Sequence, residues 1–262
     1  MPELPEVEMM TRHLRRWTED QHITLRLLDS TILKSQSSGD ITGVAEKAYR
    51  RGKYTLLPIG DSVVVFHYRM TGKLVCGLER AHSRVQLIRA HSESIWFVDT
   101  RRLGELWLIP KAQLDAFWCT KKLGPEIYPK TPDGTWWKDR FVGLKAPIKN
   151  ALLRQDRVAG IGNICASEIC FRARIHPKTS VVELSDSAWS ELAKATQSYL
   201  DAIIEEEEGA ELQYVSEGGR LPNAFWVYGR EGQSCRRCEQ PICRIVQAGR
   251  ATYYCEFCTP TQ

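Results

Sequence analysis

Four cysteines near the end of the chain constrain its fold more than any other feature of the sequence. They form two Cys-x-x-Cys pairs, Cys235–Cys238 and Cys255–Cys258, with sixteen residues between the pairs. Each short spacing lets two thiolates reach one tetrahedral zinc ion, and four thiolates leave no open coordination position. The pattern therefore predicts one structural zinc ion in a small β-hairpin ribbon, and no catalytic metal. Four arginines lie between or beside these cysteines: Arg236, Arg237, Arg244 and Arg250.

The remaining cysteines and the overall composition favour an intracellular protein. The chain has nine cysteines among 262 residues, and intracellular cysteines serve more often as thiols or metal ligands than in disulfides. Cys243 has a spacing that does not suit the metal site, so we expect it to take no part there. No run approaches the roughly 20 apolar residues of a membrane span, and the first residues lack a basic segment followed by an apolar one. We therefore expect no membrane partner and a location in the cytoplasm and nucleoid, or in the nucleus of a eukaryote.

Basic and acidic residues are unevenly distributed along the chain. The net charge is only +4, but residues 140–178 hold eight lysines and arginines against two acids. Residues 183–217 hold ten acids against one base. This segregation indicates one face that meets a polyanion and another that faces solvent, although a helical protein can also present a basic face by chance.

The spacing of apolar residues predicts an α+β fold that begins with a helix and a β domain. Apolar residues recur at helical spacing from Val7 to Trp17, so residues 5–17 are predicted to form an amphipathic helix. Short β-branched and aromatic runs without intervening helices then predict an antiparallel β-sandwich or barrel. The predicted strands are Ile23–Leu28, Lys53–Ile59, Ser62–Met70, Lys73–Leu78, Arg84–Arg89, Ser94–Val98 and Glu105–Ile109.

The second half of the chain is predicted to be helical. The predicted order is a brief helix at 111–119, a domain boundary near Gly124-Pro125, a helix at 137–154, a turn at 160–163, a helix to about Arg172, a long helix at Ser185–Glu208 and a loop at 216–222. We therefore predict three parts: an N-terminal helix with the antiparallel β-sandwich at residues 2–127, a helical domain (helix, two turns, helix) at residues 128–218, and a loop with the zinc ribbon at residues 219–262.

The start of the chain places a potential nucleophile at the terminus. A small residue after the initiator Met usually allows removal of that Met, which would leave Pro2 with a free secondary amine. An α-amino group titrates near pH 8, against about 10.4 for a lysine side chain, so more of it is neutral at pH 7. Its attack on an aldehyde-level carbon gives a cationic iminium that eases elimination at the neighbouring carbon, and Glu3 could act as its acid or base. The alternative is an ordinary helix start, with Pro5 in the first turn and acidic residues favoured by the helix dipole.

A glycine-rich turn precedes the predicted helix that ends near Arg172. Gly160, Gly162 and Asn163 occur there, and backbone amides exposed at the positive end of a helix dipole can bind phosphate. Alternatively, the turn has only a structural role.

Further short motifs occur between the start of the chain, the glycine-rich turn and the cysteine pairs. In chain order the set is Pro2–Glu8, Arg50–Tyr54, His67–Gly72, Asp99–Gly104, Gly160–Asn163, Ala166–Glu168, Ile175–Pro177, Val227–Gly229 and Gly249–Cys255. Together with the four cysteines, this set resembles the formamidopyrimidine-DNA glycosylase and endonuclease VIII family of bifunctional base-excision repair enzymes, and most closely its formamidopyrimidine branch. The resemblance covers essentially the whole chain.

The resemblance implies roles for individual residues. Pro2 would be the nucleophile, Glu3 the acid or base that helps to open the sugar, and Lys53 a lysine of the β-sandwich that supports the site and holds phosphate. Two residues, Asn163 and Arg250, would bind the phosphates that flank an extruded nucleotide. The resemblance also assigns a functional lysine to Lys149, and it matches His67 and Glu168 to family positions.

Three residues would fill the gap that a flipped base leaves in the duplex, namely Met70, Arg101 and Leu103. The formamidopyrimidine branch typically has Phe at the position of Leu103, so this chain lacks an aromatic ring for stacking there. The loop at Ser216–Ala224 is also shorter than the lesion-covering loop of that branch. Both differences leave the backbone chemistry intact and bear on which lesion is preferred.

The resemblance therefore implies a bifunctional DNA glycosylase with AP lyase activity that acts as a monomer on damaged DNA, without a small-molecule cofactor. Oxidised or ring-opened purines are the first expected substrates, and oxidised pyrimidines or secondary lesions are the alternative. A second alternative is a non-catalytic, damage-sensing DNA-binding protein of the same fold, although Pro2, Glu3, Lys53 and Lys149 argue against it. A zinc-ribbon RNA-binding protein would explain the cysteines and the cations but not the start of the chain.

Overall fold

The computed structural model describes residues 1–35, 40–206 and 225–260 of the chain. They divide into two compact units, with Met1–Lys122 in the first and Leu123–Glu206 together with residues 225–260 in the second. The loop predicted at 216–222, its comparison with a lesion-covering loop, and the domain boundary predicted after residue 218 lie outside the described residues.

Helix α1 (Leu4–Thr18) begins the first unit. Val7, Met10 and Leu14 recur at three- and four-residue spacing and are buried, so one face of the helix packs on the core of this unit. The helix predicted at residues 5–17 is therefore confirmed, with one more residue at each end.

Nine strands form two antiparallel sheets in the first unit. They are β1 (His22–Leu27), β2 (Ile41–Val44), β3 (Tyr49–Arg51), β4 (Tyr54–Ile59), β5 (Ser62–His67), β6 (Lys73–Cys76), β7 (Ser83–Arg89), β8 (Ser92–Val98) and β9 (Glu105–Pro110). One sheet has the order β2-β1-β7-β8-β6, and the other has the order β3-β4-β5-β9. The predicted antiparallel architecture is confirmed. The sequence did not predict β2 and β3, because these short strands contain a glycine (Gly43) and two successive arginines in place of a β-branched or aromatic run.

Side chains alternate between the two faces of each sheet. Leu57 of β4 and Phe66 of β5 join Phe97 of β8 and the buried face of α1 in the main core. Leu56 and Val65, their neighbours along the strands, instead form a second cluster on the opposite face, with Trp107 and the residues of helix α2 (Leu114–Lys121). The brief helix predicted at 111–119 is thus present, and it begins with a 3-10 turn at Lys111–Gln113.

Four helices form the larger part of the second unit: α3 (Gly134–Phe141), α4 (Ile148–Leu152), α5 (Asn163–Arg172) and α6 (Asp186–Glu206). The prediction of one helix at residues 137–154 is wrong. Gly143 has φ +79°, which breaks the helical path, and Pro147 restarts it at the N-cap of α4. The long helix predicted from Ser185 is present as α6.

The end of the second unit is a two-stranded antiparallel ribbon, β10 (Cys243–Gln247) and β11 (Arg250–Tyr254). Phe171 of α5 and Val227 pack against Ile242 beside this ribbon, which fixes the ribbon to the helices. In the described part of the chain, no helix combines the length and hydropathy that a bilayer crossing requires.

Candidate active site and nucleic-acid interface

The N-terminal residues Pro2 and Glu3 are buried at the start of α1. Glu3 is the N-cap residue, and its backbone N–H donates to Glu6 Oε2 at 2.9 Å while its side chain accepts from the Glu6 N–H. This reciprocal capping box satisfies two helix-terminal donors and places two carboxyl groups side by side. Burial, followed by the nearby charge of Glu3, raises the pKa of Glu6 to about 7. An acid that titrates near neutral pH therefore adjoins the two residues predicted to do the chemistry.

Glu6 is a residue whose importance the sequence did not reveal. In the chain it looks like an ordinary acid in a first helical turn, which the dipole alone would favour. Its burial in the folded chain, at 8% exposure, is the main cause of its raised pKa, and the charge of Glu3 adds to it.

Lys53 lies in the tight turn between β3 and β4, directly after Gly52, which has φ +57°. The Lys53 side chain is nearly buried at 8% exposure. Gly52 suits the turn because it adopts a positive φ without steric cost. The hairpin therefore fixes the backbone of the predicted supporting lysine.

His67 lies at the end of β5, opposite Tyr54 in the sheet register. Its ring makes an edge contact with Tyr54 at 4.6 Å between centroids, and its Nδ1 accepts from the Arg69 N–H at 3.3 Å. Burial lowers the pKa of His67 to about 3, with further lowering by the charges of Arg69, Lys53 and Lys121. Burial therefore favours the neutral form of the imidazole at physiological pH.

Met70, Arg101 and Leu103 lie on two loops of the same sandwich. Met70 is on the loop between β5 and β6, whereas Arg101 and Leu103 are on the loop between β8 and β9. The structure brings these loops together, because the Arg101 N–H donates to Thr71 Oγ1 at 3.3 Å. Met70 is 39% exposed and Leu103 is 42% exposed, so apolar side chains project from both loops.

Lys149 connects the other predicted phosphate-binding residues. Its side chain is fully buried, and Nζ donates to Asn163 Oδ1 at 2.6 Å, to Thr252 Oγ1 at 2.7 Å and to the Ala251 carbonyl at 3.2 Å. The Asn163 side chain also donates to the Ala251 carbonyl at 2.9 Å. The start of α5 and the beginning of β11 are therefore held together, and Arg250, which is exposed at the tip of the ribbon, adjoins this network.

Glu168 is fully buried on α5 and organises the segment that leads into the ribbon. Its Oε1 accepts from the N–H groups of Val227 and Tyr228 at 2.9 and 2.8 Å, and its Oε2 accepts from the Trp226 N–H at 2.9 Å. Burial raises the pKa of Glu168, whereas these three N–H groups act in the opposite direction. The contacts of Glu168 therefore hold the backbone of residues 226–228 in place.

The four cysteines of the two Cys-x-x-Cys pairs come together in space. Their Sγ atoms all lie within 4.8 Å of one another, with 3.8 Å between Cys235 and Cys258 and 3.4 Å between Cys238 and Cys255. A tetrahedral ion with Zn–S distances of about 2.3 Å would separate its sulfur ligands by about 3.8 Å. The group can therefore hold a metal ion, and Cys243 is outside it, as the spacing predicted.

The chain is similar to known proteins over most of its length. The family profile described as the formamidopyrimidine-DNA glycosylase N-terminal domain matches residues 1–106, and the profile of the H2TH domain of the same glycosylase matches residues 123–213. A formamidopyrimidine-DNA glycosylase from Gloeobacter violaceus is 37% identical to the chain, over 100% of the chain and 99% of the relative.

Solved structures of protein–DNA complexes share the fold. A complex of MutM with DNA containing carbocyclic 8-oxo-G has a TM-score of 0.85 and 29% identity, over 99% of this chain and 100% of that chain. A complex of the Lactococcus lactis Fpg with DNA containing an abasic site has a TM-score of 0.86 and 28% identity, again over 99% of this chain and 100% of that chain.

Proposed function

Because this chain belongs to the formamidopyrimidine-DNA glycosylase family, we propose that it is a base-excision repair DNA glycosylase with AP lyase activity that removes oxidised purines from DNA. Damaged DNA is the partner, in keeping with the DNA complexes of its structural neighbours. A target base must leave the stack before its sugar carbon can be attacked. A single copy of the chain carries all the residues that this reaction requires, so it acts as a monomer.

The Pro2 nitrogen, freed by removal of Met1, is the nucleophile. Its attack on C1′ breaks the N-glycosyl bond, and the base leaves with the electron pair and takes up a proton. Glu3 then gives a proton to the sugar ring oxygen as the ring opens, which leaves Pro2 as an iminium. Loss of a proton from C2′ eliminates the phosphate on the 3′ side, a second elimination releases the phosphate on the 5′ side, and hydrolysis returns the amine.

The observation that carries this proposal is the buried carboxyl pair at the chain terminus. Glu3 and Glu6 adjoin Pro2, and Glu6 has a pKa of about 7. Glu6 therefore can hold or release a proton near neutral pH directly beside Glu3, the residue that donates to the sugar ring oxygen. An ordinary helix start would leave its acids exposed and ionised.

Asn163 and Arg250 are the residues that bind the phosphates around the extruded nucleotide, with Lys53 as a further phosphate contact. The exposure of Arg250 and its connection to Asn163 through Ala251 support this role. Lys149 holds this phosphate-binding site together from the interior of the unit, because its ammonium group donates hydrogen bonds to both Asn163 and Thr252. His67 lies beside Lys53 as a neutral ring.

The metal ion is zinc, which the thiolates of Cys235, Cys238, Cys255 and Cys258 would hold. Zinc prefers sulfur ligands in tetrahedral geometry, and the sulfur separations fit that geometry. When bound, it stabilises the ribbon that carries Arg250 and supplies no reactive ligand position.

Met70, Arg101 and Leu103 fill the space that the extruded base vacates. Leu103 supplies volume but no aromatic face, and base–aromatic stacking is worth roughly 1–3 kcal/mol. The chain therefore prefers lesions at sites that open easily, such as bubbles or mismatches. The alternative is a preference for oxidised pyrimidines. In that case, oxidised pyrimidines would be released from duplex DNA faster than oxidised purines.

Borohydride trapping tests the central step. Borohydride reduces the iminium, so wild-type protein should become covalently attached to abasic DNA, and mass spectrometry should locate the adduct on Pro2. Glu3→Gln should abolish release of 8-oxoguanine while it leaves DNA binding nearly intact. Undamaged duplex is the control for non-specific attachment. An adduct on Lys53, with Pro2→Gly fully active, would overturn the assignment of the nucleophile.

A further inference from the structure

A buried carboxylate joins the two loops that carry the predicted void-filling residues. Asp99 is fully buried at the end of β8. Its Oδ1 accepts from the Thr71 hydroxyl and from the Arg101 N–H at 3.2 Å, and its Oδ2 accepts from the Gly104 N–H at 2.6 Å. Thr71 Oγ1 in turn accepts from the Arg101 N–H at 3.3 Å. The Thr71 hydroxyl thus bonds across from one loop to the other.

The two loops also rest on one aromatic ring. A Cβ atom placed on Gly72 would lie 2.8 Å from Phe97 Cζ, and a Cβ atom on Gly104 would lie 2.7 Å from the same atom. Both distances are too short for real carbon contacts, so both loops approach Phe97 as closely as glycine allows. Phe97 itself is in the sandwich core.

Hydrogen bonds also fix the backbone of Asp99. Its N–H donates to the His82 carbonyl at 3.1 Å, and its carbonyl accepts from Arg84 Nε at 3.0 Å. Arg84 is buried and is itself held by Asp29 at 3.1 Å. The carboxylate therefore projects from a fixed backbone, and its contacts transmit that fixed position to both loops.

We propose that Asp99 and Thr71 are positioning residues that hold Met70, Arg101 and Leu103 in one arrangement, ready to enter the duplex at a flipped base. This inference rests on the proposed function. Insertion into paired DNA needs several side chains to occupy one gap together, so it is sensitive to the separation of the two loops. A single strand has no opposite base and no closed stack to fill. Loss of the contact between the loops should therefore impair action on paired DNA more than on single strands.

Thr71→Val and Thr71→Ser form a matched pair for the test. Valine has nearly the same shape but neither donates to Asp99 nor accepts from the Arg101 N–H, whereas serine keeps the hydroxyl. A net hydrogen bond is worth about 0.5–1.5 kcal/mol, so Thr71→Val should lower the ratio of duplex to single-strand rates by roughly 2- to 13-fold. Thr71→Ser should keep the ratio within about twofold of wild type. Thr24→Val removes the hydroxyl of the exposed Thr24–Thr42 pair and is the control.

Two measurements read the outcome. The first is the ratio of single-turnover rates of base release from a paired duplex and from a single strand of the same sequence. The second is the fluorescence of 2-aminopurine placed opposite a stable abasic analogue, which reports disturbance of the stack without any catalysis. Thr71→Val should reduce the fluorescence change on binding, and Thr71→Ser should restore it.

An unchanged ratio and unchanged fluorescence in Thr71→Val would overturn the inference. Equal loss of both rates in the valine and serine variants, with a lower melting temperature in both, would also overturn it, because it would assign Thr71 a purely structural role. Failure of the proposed function gives a different result, since wild type would then release no base from either substrate. The fluorescence measurement would still test the positioning of the loops in that case.

Discussion

Replacement of Glu168 by glutamine should destabilise the second unit by an amount that its hydrogen bonds define. The carboxylate accepts three backbone N–H bonds, two at Oε1 and one at Oε2. The glutamine amide has only one oxygen, which would take the place of Oε1 and keep the bonds from Val227 and Tyr228. Its NH2 group would then face the Trp226 N–H, so that one backbone donor would lose its acceptor.

The expected cost combines two effects. An unpaired buried donor costs about 1–3 kcal/mol, and two bonds to a charged acceptor become bonds to a neutral one, which weakens each by about 1 kcal/mol. Removal of a buried charge offsets part of this loss. We expect Glu168→Gln to lower the free energy of unfolding by about 2 kcal/mol, because this offset and the only partial burial of the bonds from Trp226 and Tyr228 reduce the loss.

Glu183→Gln is the matched control. Glu183 accepts a single exposed N–H bond from Ser180 at 3.0 Å, so its replacement should cost less than about 0.5 kcal/mol. Urea unfolding gives the free energies, and amide hydrogen exchange of residues 226–228 gives a local reading. These amides should be protected in wild type and in Glu183→Gln, and should exchange faster in Glu168→Gln.

The reasoning about Glu168 would be refuted by either of two results. One is a free energy of unfolding of Glu168→Gln that equals that of Glu183→Gln. The other is exchange of the amides of Trp226, Val227 and Tyr228 in wild type at the rate of an unfolded peptide. The segment leads into the ribbon that carries Arg250, so Glu168→Gln should also weaken binding to every duplex to a similar degree.

Four further predictions concern the site. Because burial raises the pKa of Glu6 from 4.5 to about 7, the folded chain holds this proton more tightly than the unfolded chain, and the free energy of unfolding falls as the pH rises through this range. Glu6→Gln should remove this dependence on pH, which urea unfolding at several pH values would measure. The reasoning is wrong if the free energy of unfolding changes with pH in Glu6→Gln as it does in wild type. Cys255→Ser should release the metal, as measured by elemental analysis, and weaken DNA binding; full affinity of the metal-free protein would contradict this. Arg250→Ala should weaken binding to all duplexes and reduce the slope of log affinity against log salt by about one, and an unchanged slope would exclude a phosphate contact. Leu103→Phe should raise the single-turnover rate on paired duplex relative to single strands, and a constant ratio would show that Leu103 does not enter the stack.

The sequence by itself determined the features that depend on local spacing. The cysteine pairs identified the group that can hold a metal ion, since two ligands three positions apart can reach one ion in almost any small turn. The recurrence of Val7, Met10 and Leu14 identified α1, and runs of β-branched and aromatic residues identified seven of the nine strands in the first unit. Motif order along the chain identified the family, which the profiles and relatives confirm.

Only the tertiary structure decided the features that depend on contacts between distant residues. Helical spacing continued across residues 137–154, but the positive φ of Gly143 and the ring of Pro147 split that stretch into two helices. The resemblance identified Lys149 as a functional lysine, but only the structure shows that it is buried against Asn163 and Thr252.

The same holds for the acids. Glu6, Asp99 and Glu168 all lie in motifs that carry the family resemblance, but the sequence does not show what surrounds each carboxyl group. Their environments differ because each is removed from water by a different set of neighbours, which raises the pKa of Glu6, ties Asp99 to two loops and gives Glu168 three backbone donors. Desolvation and hydrogen bonding act through space over a few ångströms, and separation along the chain carries no information about them.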